Sequence, residues 1–258
     1  MNSWPLLRRL VRAQWLDRYA GTWAGALWGV LLPVGQMAVF WLVFSEWMAP
    51  RLGALQAQLG KGGYAVYLLT GLIFWWWWSN GLMRAAGAIA DGAGLAKKTP
   101  IRLWWLVAAA VVAEGLSAGL ALAALLLGLL VVGYAQVSWL GLLPLVAAAL
   151  WVIFWVGLLL AVVSVFVPDV REVLGLVLNL WFWLTPIVYL PEGAPALLHG
   201  VLALNPAAWL VTAAHDLVVW GRWPEVAVVV KLAGFGVVSA AAAYWVWRRA
   251  HAAVRDVL

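Results

Sequence analysis

Charge-free runs recur along this chain, divided by short stretches that hold nearly all of its Arg, Lys, Asp and Glu. A bilayer core of about 30 Å takes about 20 apolar residues of α-helix, so each run is a candidate transmembrane helix. Six are predicted, over residues 23–44, 64–83, 103–130, 140–167, 173–190 and 226–247. The middle two come from one stretch, Leu103 to Pro168, whose single charge is Glu114. Its polar and aromatic segment Gly133-Tyr-Ala-Gln-Val-Ser-Trp139 reads as the turn between them. The expected architecture is an all-α integral membrane protein, one transmembrane domain over residues 1–258.

Two segments do not fit a plain span. In Trp4 to Tyr19, Trp4, Leu7, Leu10, Val11 and Trp15 gather on one side at 100° per residue, opposite Arg8, Arg9 and Arg12, while Leu16 and Arg18 break the stripe. This predicts an amphipathic interface helix within residues 1–20, lying flat at the headgroups, with a topogenic leader as the other reading. The arginines also interrupt any signal-peptide core. Between spans five and six, residues 191–224 are mostly apolar yet broken by Pro191, Pro195 and Asn205-Pro206. Helices as short as 196–203 and 207–219 suit re-entrant pieces, allowed at depth only where protein or water satisfies their ends.

Composition reinforces this picture. The 258 residues are 67% hydrophobic and 10% charged, too few charges to cover a water-facing surface. The net charge of +6 would point to nucleic acid in a soluble protein. Here the positive charge sits at segment ends, where the positive-inside rule and anionic lipid account for it. With six spans both termini share a side, and that side holds 12 Lys and Arg against 3 opposite, which predicts cytoplasmic termini. No cysteine is present, so disulfides and thiolate metal sites are excluded. No phosphate-cradling GxxxxGK[ST] occurs, and His199, His215 and His251 lack metal-ligand spacing. Catalytic and metal residues are therefore expected to be none. Glu114 is the one carboxylate inside a span, about 16 Å from Leu103. Two readings stand for it: a carboxyl at a helix seam among Ala113, Gly115 and Ser117, or a proton or substrate role.

The run Trp75, Trp76, Trp77, Trp78 lies deep in the second span, far from the interfacial belts where tryptophan usually sits. At 100° steps its rings face all round the helix, so one or two are expected toward lipid and one or two toward the protein interior. Trp181 and Trp183 with Phe182 form a second aromatic group in span five, and Trp41 and Phe44 a third in span one. Aromatic faces stack on sugar rings and indole N–H groups donate to hydroxyls, so repeated weak contacts suit a polymer that must slide. Packing bulk is the alternative.

Arg18-Tyr-Ala-Gly-Thr-Trp-Ala-Gly-Ala-Leu-Trp28 with Pro33 resembles the "RYxxSxLGxLW…P" opening of ABC-2 type polysaccharide-export permeases, the membrane subunits that export O-antigen, capsular polysaccharide or teichoic acid. Further resemblances follow in order. Tyr67 to Trp75 is similar to "YLLxGLxxW", and Lys97-Lys-Thr-Pro-Ile-Arg102 to "KKxxFPR". Asp169-Val-Arg171 with Trp181-Phe-Trp-Leu-Thr-Pro186-Ile-Val-Tyr189 is similar to "RDV…WFxLTPVxY"; Leu204-Asn205-Pro206 and Arg255-Asp-Val-Leu258 complete the set. Leu103 stands where the family has an acidic residue, and Glu114 has no family counterpart. The resemblance implies a permease of the bacterial inner membrane that moves a lipid-linked polysaccharide through a homodimeric channel. Two copies of a separate ATPase would bind the ATP and Mg, leaving this chain without cofactor. It implies that residues 84–102 dock on the ATPase, with Arg84, Asp91, Lys97, Lys98 and Arg102 in that coupling role; a plain positive-inside loop is the alternative. It also places Pro186, Tyr189, Asn205 and Pro206 in an outer gate, and Trp75 to Trp78, Trp181 and Trp183 on the channel. Export of a small drug or lipid, or a membrane glycan enzyme, are the competing functions.

Overall fold

The computed structural model describes residues 4–17, 21–23, 25–43, 62–99, 101–193 and 195–257. Among these residues the secondary structure is helical throughout, with α1 (Trp4–Asp17), α2 (Trp28–Leu42), α3 (Gly63–Asp91), α4 (Ala93–Lys98), α5 (Trp104–Val131), α6 (Leu142–Phe166), α7 (Val170–Trp183), α8 (Ala196–Leu204), α9 (Pro206–Val218) and α10 (Val226–Val257).

α3 is the axis of the bundle. Every residue from Tyr64 to Trp75 is buried, because α5 and α6 flank it along its length and α2, α7 and α9 close the remaining sides. Small residues let these helices approach. A Cβ on Gly81 would stand 2.9 Å from the Ile153 side chain, and one on Gly157 would stand 2.5 Å from the Ala85 Cβ. Without a hydrophobic drive between helices in lipid, such close backbone contact supplies the packing energy. α10 lies outside α6, with Gly236 against Trp151.

Among the described residues three helical stretches are long and apolar enough to cross a bilayer, Trp104–Val131, Val137–Phe166 and Val226–Val257. The pair α8 and α9, bent by 87° at Asn205, makes a fourth if its arms form one span. The two short helices expected between Pro195 and Val219 are thus present as helices. The expected span at 173–190 is shorter in the structure: α7 has 14 residues, about 21 Å of helix, less than the bilayer core. α2 has 15 residues and follows a single 3-10 turn at Gly25–Leu27. α7 stops at Trp183 because Pro186 has no N–H to offer and disfavours helical geometry at Thr185.

The second expected span overruns its predicted end. α3 continues through Ala85, Ala86 and Ala88 to Asp91 and stops at Gly92, since alanine is the strongest helix former and nothing before Gly92 breaks the ladder. The segment 84–102 is therefore two pieces rather than one amphipathic unit: the last turns of α3, then the short α4 carrying Lys97 and Lys98 in its final turn. α1 shows the expected sidedness, Leu10 and Val11 buried and Arg8, Arg9 and Arg12 exposed. Its apolar face meets α5, where the Trp15 indole donates to the Ser117 hydroxyl at 3.3 Å.

Candidate functional site

Beyond α7 the chain leaves the helix, and the carbonyls of residues 186–189 lose intrahelical partners. Tyr64 and Tyr67, one turn apart on α3, supply donors for them. The Tyr64 hydroxyl donates to Val188 O at 2.8 Å, and the Tyr67 proton is shared between Tyr189 O at 2.9 Å and Pro186 O at 3.1 Å. The Tyr67 ring stacks on the His215 imidazole, 3.7 Å between centroids and 20° between planes. His215 Nε2 lies 2.9 Å from the Tyr67 carbonyl, which only accepts, so this nitrogen carries the proton. Gly71 makes room for the arrangement: a Cβ there would meet His215 Nε2 at 3.0 Å and Ile187 Cγ2 at 3.2 Å.

Asn205 ties the same region together from the other side. Its Oδ1 accepts from Ala207 N at 3.0 Å and Ala208 N at 3.1 Å, capping α9, with Pro206 at the first helical position. The same oxygen accepts from the Trp181 indole at 2.8 Å. Its Nδ2 donates to Leu184 O at 2.9 Å and Thr185 Oγ1 at 3.3 Å. One side chain thus fixes the end of α7 and the start of α9. The other end of α9 is held by Ser138, donating to Leu217 O at 2.7 Å, and Tyr134, donating to Val219 O at 2.8 Å. Asp216, buried, pairs with Arg222 at 2.8 Å.

Below this assembly lie the tryptophans. Trp75, Trp77 and Trp78 are buried and Trp76 is half-buried, so three rings rather than the expected one or two face the protein interior. The reason is that α3 is surrounded by other helices. Trp75 meets Phe182 edge-on at 5.8 Å, Trp78 meets Trp181 edge-on at 5.9 Å, and Trp76 tilts against Phe40 of α2 at 6.3 Å. Trp77 packs on α5, 3.3 Å from where a Gly115 Cβ would sit. The Nε1 atoms of Trp77 and Trp78 are buried without a hydrogen-bond partner. Of the aromatic residues expected on the channel, Trp183 is 62% exposed and Trp41 40% exposed, with Trp181 half-buried. Phe44 lies outside the described residues.

At the opposite end, charges pair across helices. Arg84 Nε lies 3.1 Å from Glu114 Oε1, whose side chain is buried. Glu114 was expected without a charged partner; the overrun of α3 brings one. Asp91 pairs with Arg171 of α7 at 3.0 Å, and Arg171 also donates to Gly87 O at 2.9 Å. Gly87 permits this, since a Cβ there would stand 3.0 Å from the guanidinium carbon. Of the five residues expected to couple to an ATPase, Arg84 and Asp91 are thus engaged within the protomer, while Lys97, Lys98 and Arg102 are exposed. No group of His, Asp or Glu with metal-binding geometry occurs among the described residues.

Sequence reasoning missed Tyr64, His215 and the donor role of Tyr67. The i, i+3 tyrosines were a visible signal, but their acceptors lie more than a hundred residues away.

Comparison with known proteins gives this arrangement a family. A protein from Myxococcus xanthus named O-antigen export system permease protein RfbA is 29% identical over 244 residues, 90% of this chain and 87% of its own length. A Klebsiella pneumoniae protein of the same name is 25% identical over 202 residues, 78% of this chain and 74% of its own. The ABC-2 type transporter family matches residues 5–218, a range that takes in the interface helix, the aromatic core, both paired-charge sites and the Asn205 hub. This chain is a membrane protein of the ABC-2 type transporter family.

Proposed function

We propose that this protein is the permease subunit of an ATP-driven exporter that carries a lipid-linked polysaccharide across the bacterial inner membrane. The observation that carries the reading is the end-to-end likeness to proteins named for O-antigen export, covering 90% of this chain in the Myxococcus xanthus case. The family match, over residues 5–218, spans α7, the Asn205-Pro206 break and the aromatic core.

In this reading two copies of the chain form the channel and two copies of a separate ATPase drive it. α4, with exposed Lys97 and Lys98, is the ATPase-facing element, and Arg102 stands beside it. The Asp91–Arg171 and Arg84–Glu114 pairs make α3, α5 and α7 a rigid lever behind α4. Glu114 lies level with Arg84, some 32 Å of helix from Gly63, which puts the pair at the cytoplasmic edge of the bilayer core rather than at its middle. Both termini are cytoplasmic, and α2 and α7 complete six spans, α8 and α9 being re-entrant at the outer face. There the Tyr64, Tyr67 and Asn205 bonds form the gate with Pro186 and Tyr189. Trp183, Trp181, Trp76 and Trp41 offer ring faces to the sliding saccharide, while Trp75, Trp77 and Trp78 form the packed layer behind them.

The test is deletion of the gene in its bacterial host, followed by extraction of lipid-linked polymer from cytoplasmic and surface fractions. The expected result is polymer retained inside and restored to the surface by the intact gene. Normal surface polymer in the deletion strain rejects the reading, and loss of drug or phospholipid efflux in its place selects a small-molecule exporter.

A further inference from the structure

A groove runs between the start of α5, the second half of α6 and the last turns of α10, away from the gate and the aromatic core. Its lower chamber, about 600 Å³, is bordered by Arg102, Trp104, Trp247, His251, Arg255 and Asp256. The upper chamber, about 330 Å³, shares Trp104 and Trp247 and continues along Phe154, Trp155, Leu158 and Tyr244. The lining changes character sharply from one chamber to the other: aromatic and aliphatic side chains above, two guanidinium groups, an imidazole and one carboxylate below. Arg248 adds a third cation at the rim, 5.9 Å from the Tyr244 ring.

The walls are held in place. Trp104 stacks on Trp105 at 4.1 Å and meets Phe154 edge-on at 6.5 Å. Arg255 donates to Ile101 O at 3.3 Å, which ties the end of α10 to the start of α5 and leaves its remaining guanidinium donors free to turn into the groove. Asp256 offsets one of the two guanidinium charges of Arg102 and Arg255, which leaves the lower chamber net positive. Indole rings flanking a cationic pocket, open on one side to apolar surface, are the chemistry of a headgroup site at a membrane interface, where tryptophan and arginine partition together.

We propose that this groove binds an anionic phospholipid, one acyl chain in the aromatic chamber and the phosphate against Arg102 and Arg255. Charge selects the occupant: a zwitterionic lipid brings its own cation to a chamber that two arginines already make net positive, whereas an anionic one neutralises that charge. Planar guanidinium forks match phosphate oxygens in pairs. Bound there, the lipid would staple α10 to α5 beside α4, the element next to this groove in the chain.

The experiment reconstitutes the full-length protein in phosphatidylcholine vesicles with a minority of phosphatidylglycerol, re-extracts it in mild detergent and quantifies retained lipid by mass spectrometry. Wild type should retain phosphatidylglycerol in excess over its share of the bilayer. The R102A/R255A variant should lose about 25-fold of that enrichment, each basic side chain near anionic lipid contributing a factor of about five. A252W, which fills the groove from an exposed position, should lose it as well, and R102K/R255K should keep most of it. If R102A/R255A does not fold, A252W alone decides. Retention of phosphatidylglycerol by wild type at no more than its share of the bilayer, or full phosphatidylglycerol enrichment in A252W, overturns the proposal. So does displacement of phosphatidylglycerol by trace polyprenyl phosphate, which would assign the groove to the carrier lipid.

Discussion

Replacing Asn205 by alanine removes five hydrogen bonds at once, and the structure lets their cost be apportioned. Loss of the cap on Ala207 N and Ala208 N costs about 1 kcal/mol. The Trp181 indole N–H and the Leu184 carbonyl then lose their partner in a half-buried to buried setting, adding about 1–2 kcal/mol each. The total is about 3–5 kcal/mol, and for a chain of this size about 3 °C of melting temperature accompanies each kcal/mol, so Asn205→Ala should melt about 10 °C below wild type. The assay is thermal unfolding of detergent-solubilised protein followed by size-exclusion recovery. Asn205→Asp separates the contributions. Its carboxylate still accepts from Ala207, Ala208 and Trp181, but it cannot donate to Leu184 or Thr185, so it should fall about midway between wild type and Asn205→Ala. A shift below about 2 °C for Asn205→Ala, against the cost of leaving buried polar groups unpaired, would refute the hub. So would Asp and Ala variants that melt together.

Arg84→Ala removes a cationic partner of the buried Glu114 carboxylate; because the guanidinium is partly open to solvent, the cost should be about 2 kcal/mol rather than that of a fully buried pair. The double variant R84M/E114M should recover most of it, and thermal melting of the set checks this. Gly71→Ala drives a methyl into His215 and Ile187 and should destabilise by about 1–3 kcal/mol, whereas Gly119→Ala, facing open space, should be neutral or stabilising by up to about 1 kcal/mol. Trp78→Ala should cost about 3–5 kcal/mol through the cavity it leaves and lower membrane abundance. Trp183→Ala should leave melting unchanged and reduce polymer export per molecule, measured in a complemented deletion strain; unchanged export there would remove Trp183 from the channel.

What was legible in advance was local. Apolar runs of span length, the basic sidedness of α1 and the prolines that end α7 and start α9 act within a few residues of where they stand. The burial of α3 was not legible. Four tryptophans at 100° steps promised one or two interior rings, yet helices from distant parts of the chain close around three of them. The length of α3 was misjudged because Arg84 looked like a membrane boundary. A charge marks a boundary only if nothing within the bundle neutralises it, and Glu114 does.

Membrane insertion, the proline breaks after α7 and before α9, and the family likeness could be read from residue order alone, because hydropathy, proline and motif order are properties of neighbouring residues. Which polar groups serve one another was set by the packing of the helices: Tyr67 with Pro186 and Tyr189, Trp181 with Asn205. In a low-dielectric interior each of these groups must find a partner, but which partner is set by how helices far apart in the chain cross.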